Sequence, residues 1–87
     1  MALVFIPSLM QGLSEGESRV RVEGGNVRQI IDNLDAQYPG FKVRLVEDGR
    51  VKPNISVAID GEITPLGLIE KVGEQSEVHF LPAISGG

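Results

Sequence analysis

Between Asn26 and Tyr38 the hydrophobic period of this chain changes, and only there does it become helical. Val27, Ile30, Ile31, Leu34 and Tyr38 recur at the three- and four-residue spacing of one helix face, with Arg28, Gln29, Asp32, Asn33 and Asp35 outside it. Asn26 or Gly25 is placed to cap the start, and Pro39 with Gly40 ends the helix, because the residue before a proline is pushed out of the helical region. One amphipathic helix has one apolar stripe to bury. It needs a flat partner.

The flanking segments supply one, since they alternate in twos. Residues 2–6 (ALVFI) read as a strand closed by Pro7, with Val4 and Ile6 inward and Phe5 outward. Residues 18–23 (SRVRVE) set Val20 and Val22 on one face against Arg19 and Arg21 on the other. After the helix, residues 41–46 read as a short helical turn. Residues 47–54 read as a loop turning at Asp48 and Gly49 and carrying Arg50 and Lys52. Residues 55–59 (ISVAI) alternate again, and Asp60-Gly61 supplies a tight hairpin into Glu62 and Ile63. A link punctuated by proline and glycine leads to residues 77–81 (EVHFL), with Val78 and Phe80 inward and His79 and Leu81 outward.

The order is strand, strand, helix, strand, strand, strand. Its helix can bury its stripe only by lying across one face of the sheet, and crossover rules set the first and last strands side by side in the middle. That is the α+β arrangement called β-grasp or ubiquitin-like: a mixed sheet of four to five strands, one main helix on one face, the other face open. Val20, Val22, Val27, Ile30, Ile31, Leu34, Ile55, Val57, Ile59, Val78 and Phe80 form the expected core. Residues 1–81 would be the folded domain and 82–87 a flexible tail.

Composition narrows what such a domain can do. The chain has 87 residues, room for one core, and no apolar run near the roughly 20 residues that cross a bilayer. Its first residues, MALVFIPSL, lack the basic start and small-residue cleavage site of a signal peptide, so the expected location is cytoplasmic. There is no cysteine, hence neither a disulfide framework nor a thiolate zinc site. Twelve acidic against eight basic residues give a net charge of −4, the wrong sign for a general binder of nucleic acid. The carboxylates lack metal-ligand spacing, and Asp60 belongs to its turn. His79 is the only histidine and is read as a surface residue without the partner and pocket a general base needs. Gly24-Gly25 lacks both the spacing and the lysine of a phosphate loop. The expectation is a protein that is not an enzyme and binds no metal or cofactor of its own.

What remains is the end of the chain, LPAISGG. Terminal glycines also occur as frayed ends without a role. Here they follow the last strand as a short arm, and a carboxylate on a residue without a side chain can enter a narrow channel. Attack by the Gly87 carboxylate on the α-phosphorus of ATP would form an acyl-adenylate and release pyrophosphate. A sulfur nucleophile would then displace AMP. Nothing in this sequence supplies the ATP site, so a partner must. At the root of the arm, Phe5, His79 and Leu81 would share the open face as an apolar patch bordered by Arg19 and Arg21, unless the loop of residues 8–17 covers Phe5.

The first-strand VFIPS, the YPG after the helix, the later EDG and the closing VHFLPAISGG together resemble the ThiS/MoaD family of ubiquitin-like sulfur carrier proteins, most of all its CysO/MoaD-like subgroup. The resemblance spans essentially the whole chain. It implies that Gly87 is adenylated by a MoeB/ThiF-like activating enzyme, which holds ATP and magnesium, and is converted to a thiocarboxylate that donates sulfur. Pro82, Ala83, Ile84, Ser85 and Gly86 would then thread the partner's active site, while Phe5, His79 and Leu81 dock on its surface. A sulfur-transfer protein is a further candidate partner. Molybdopterin-synthase small subunits carry Pro-Pro where this chain has Pro82-Ala83, and thiamin carriers are usually shorter. Cysteine biosynthesis on a cysteine synthase-like acceptor is therefore the leading pathway, with molybdopterin, thiamin and tRNA thiolation left open. Absence of cysteine suits the scheme, since an internal thiol would capture the acyl-adenylate. Two other readings stand beside it: a modifier that forms isopeptide bonds with lysines, and a β-grasp interaction module whose glycines have no role.

Overall fold

The computed structural model describes residues 1–83. Strand β1 (Ala2–Phe5) leads through a 3-10 turn at Ser8–Met10 to β2 (Arg19–Val22), helix α1 (Val27–Gln37) and a short α2 (Phe41–Leu45). The hairpin β3 (Val46–Glu47) and β4 (Arg50–Val51) follows, then β5 (Ile55–Ile59), β6 (Glu62–Thr64), a 3-10 turn at Gly67–Ile69 and β7 (Glu77–Pro82). Five strands form one mixed sheet in the order β2-β1-β7-β5-β6, and β3 with β4 form a separate two-stranded one. The first and last strands lie parallel at its centre, Val4 beside Val78, as the crossover rules require.

Helix α1 covers one face. Val27, Ile30, Ile31 and Leu34 are all buried against Val4, Val20, Val57, Val78 and Phe80 of the sheet. Its start is fixed reciprocally: the Asn26 side chain accepts the Gln29 N–H at 2.9 Å, and the Gln29 side chain accepts the Gly25 N–H at 2.8 Å. Just before it, Gly24 sits at φ +155° with the helix so close that a Cβ there would lie 2.9 Å from the Ile30 nitrogen. At the other end the Asp35 carboxylate accepts the N–H groups of Gly40 and Lys42, which ties α1 to α2.

The structure departs from the sequence reading in four places. Residues 47–54 are not simply a loop, because Val46 pairs with Val51 and Glu47 with Arg50 across a turn in which Asp48 and Gly49 both take positive φ. Ile59 is only partly buried: it pairs with Glu62 on the edge strand β6. Ala2, Met10, Phe41, Leu45, Ala58 and Val72 are buried in addition to the expected core. Strand β7 runs through Pro82 rather than stopping at Leu81, since Pro82 still finds Ile55 opposite it. The Asp60-Gly61 hairpin is as expected, and Asp60 does more than turn: its carboxylate accepts the Ser76 hydroxyl and the Glu77 N–H, fixing the start of β7. Among the described residues no helix is long and apolar enough to cross a membrane.

Candidate functional site: the open sheet face and the root of the tail

The face opposite α1 is organised by register. One row runs across all five strands, Arg19 beside Phe5, Phe5 beside His79, His79 beside Ala58 and Ala58 beside Ile63. Phe5 and His79 stack with ring centroids 4.1 Å apart and planes 7° from parallel. This stack, which the sequence could not show, half-buries both side chains and fixes the imidazole against an apolar ring. The next row toward the chain end sets Leu81 opposite Ser56, and Leu81 is 43% exposed. The preceding row brings Leu3 between Arg21 and Glu77. The centre of the face is therefore apolar, with arginines along its β2 edge.

The three residues expected to share this face do so, and the loop that could have covered Phe5 turns the other way. Met10 is drawn into the core and Leu13 packs against Gly40 on the helix side. Ser14, fully buried, holds the loop closed by donating its hydroxyl to the Glu17 carbonyl at 2.7 Å.

At the end of β7 the backbone is still paired at the last described residue. The Ala83 N–H still donates to the Asn54 carbonyl. Next on that flank is Pro53, which has no N–H, and then Lys52, whose N–H is held by Leu45 and whose carbonyl accepts from Ile55, each at 2.9 Å. Pro82 and Ala83 belong to the folded body rather than to a free arm. Ile84, Ser85, Gly86 and Gly87 lie outside the described residues. Gly87 is four residues beyond Ala83, a reach of at most about 14 Å for an extended chain.

No group of His, Asp or Glu side chains among the described residues could hold a metal ion. The geometry offers an exposed apolar face part of which lies on the last strand. A family model described as the ThiS family matches residues 9–87, nearly the whole chain. The chain belongs to the ThiS family. Small archaeal modifier protein 3 of Haloferax volcanii is 33% identical over 67 residues, covering 75% of this chain and 73% of that one. Sulfur carrier protein CysO of Mycobacterium tuberculosis is 26% identical over 89 aligned positions, covering 97% and 96%. Its crystal structure superposes with a TM-score of 0.91 at 24% identity, over 97% of this chain and 100% of that one, a likeness of fold. A chain in the crystal structure of the Amycolatopsis orientalis BexX/CysO complex covers 100% of both with a TM-score of 0.95 and 30% identity. The fold is thus the β-grasp of ubiquitin-like carriers. This ThiS-family chain stands with small CysO-like sulfur carriers and ubiquitin-like modifiers rather than with catalysts.

Proposed function

We propose that this ThiS-family protein carries sulfur as a thiocarboxylate on Gly87. A separate MoeB/ThiF-like enzyme binds ATP and magnesium. The Gly87 carboxylate oxygen attacks the α-phosphorus, pyrophosphate leaves, and a sulfide sulfur then attacks the acyl carbon and displaces AMP. The carrier supplies position and no catalytic group. The thiocarboxylate sulfur then bonds to the acceptor in place of its leaving group, and hydrolysis of the resulting thioester frees the sulfur with the acceptor and restores the Gly87 carboxylate; cysteine synthesis on an activated serine derivative is the leading reaction. The observation that carries this reading is the open face around Phe5, His79 and Leu81, part of it on β7, the strand that leads directly to Gly86-Gly87 in the sequence. That arrangement lets a partner grip the face while drawing the tail into its active site.

The docking half of the proposal is tested at Leu81. Leu81→Asp places a charge on the 43%-exposed position while leaving the opposite face of β7 in the core. The expected result is a rise of about tenfold or more in the KM for carrier in ATP–pyrophosphate exchange by the activating enzyme, with kcat little changed, as for losing one apolar anchor of an interface. An unchanged KM would remove this face from the docking account. The Haloferax volcanii relative, named as a modifier, supports a second reading in which the activated tail forms isopeptide bonds with lysines of other proteins. High-mass conjugates on a denaturing gel, resistant to thiols, would favour it.

A further inference from the structure

A second surface lies away from the open face. A groove of about 440 Å³ runs between the β3–β4 hairpin, the helix-side edge of β5 and β6, and the 3-10 turn at Gly67–Ile69. Three cationic side chains line it, Arg28 from α1, Arg50 from β4 and Lys52 beyond it, and no lining residue is acidic. In a chain of net charge −4 this reverses the local sign. The ion pair found among the described residues, Lys42 with Asp32, involves none of the three cations. Glu47 stands opposite Arg50 in the hairpin register without closing to an ion pair. The rest of the lining is largely apolar, with Leu68 partly buried and Leu66 and Ile69 exposed by 51% and 69%.

From this charge pattern we infer that the groove is a docking site for an acidic peptide segment of a partner protein, one that alternates carboxylates with aliphatic side chains. The carboxylates meet Arg28, Arg50 and Lys52, and the aliphatic groups cover Leu66, Leu68 and Ile69. Against the net negative charge of the chain, an acidic partner is drawn to this cluster of three cations, so the groove orients the encounter. Lys52 and Pro53 also flank the site where Ala83 bonds Asn54, so a segment bound in the groove lies beside the root of the tail. The inference rests on the groove alone and is independent of the chemistry at Gly87.

The test titrates the ¹⁵N-labelled full chain with the capped peptide Leu-Asp-Leu-Glu-Leu, followed by amide chemical shifts. Shifts are expected at residues 50–52, 54–56, 64 and 66–69, half-saturating at roughly 1 mM. The same peptide with Asn and Gln for its acids should bind about tenfold more weakly, as should the wild-type peptide to an Arg50→Gln, Lys52→Gln variant whose spectrum otherwise overlays the parent. Absence of shifts, shifts centred on Phe5 and His79 instead, or equal binding of the neutral peptide would overturn the assignment. So would inorganic phosphate at matched ionic strength producing the same response, which would mark a simple anion site.

Discussion

Removal of Gly87 alone is expected to abolish adenylation while leaving the fold intact. The truncated chain still ends in a glycine carboxylate, so its charge and chemistry are unchanged. Its reach is not. One residue fewer withdraws the carboxylate by about 3.5 Å, and a misplacement of even 1 Å at a reacting atom costs on the order of 10²-fold. ATP–pyrophosphate exchange by the activating enzyme should therefore fall by at least about 10²-fold. Every residue of the buried cluster lies between Ala2 and Phe80, so the thermal midpoint should correspond to a change within about 0.5 kcal/mol. Exchange retained at the parental rate would show that Gly87 is not the acylated residue.

Phe41→Ala is expected to have the largest effect on stability. Phe41 is 1% exposed, and it opens the short helix α2 directly under the end of α1, anchored by the Asp35 carboxylate that holds the Gly40 and Lys42 N–H groups. Truncating a buried phenylalanine costs about 3–5 kcal/mol, and a domain of this size has roughly 4–13 kcal/mol in all. Urea unfolding should show a much lower midpoint at an unchanged slope. A loss below about 1 kcal/mol would mean that α2 contributes little to the core.

Phe41 also shows where the sequence is hard to read. Helix α1 has enough apolar positions to display a period, and its Asn26 cap and Pro39-Gly40 stop are local chemistry, so its position and inward face follow directly from the residues. The strands around Val20, Val57 and Val78 are legible for the same reason. The short helical turn after Gly40 is readable, but five residues show no full period, so the burial of Phe41 and Leu45 emerges only when the chain is folded, as does the pairing of the two-residue strands β3 and β4, although the Asp48-Gly49 turn itself is visible. Ala58 is buried on the otherwise open face because it sits between His79 and Ile63, a placement set by register and not by hydrophobicity. At the candidate site, Phe5, His79 and Leu81 are readable from alternation, while the stacking of Phe5 on His79 needs the topology. Arg28, Arg50 and Lys52 come from separate segments and read singly as solvated charges. Only the fold gathers them around one groove.

The most direct measurement of the central claim is the intact mass of the protein isolated from its native cells under mild, thiol-free conditions, with fragmentation to locate any change. Sulfur carriage predicts a population heavier by one oxygen-to-sulfur exchange, with the substitution on the terminal Gly87 carboxylate, and its growth when ATP, the activating enzyme and a sulfide source are supplied. A mass that stays unmodified under both conditions would contradict the account.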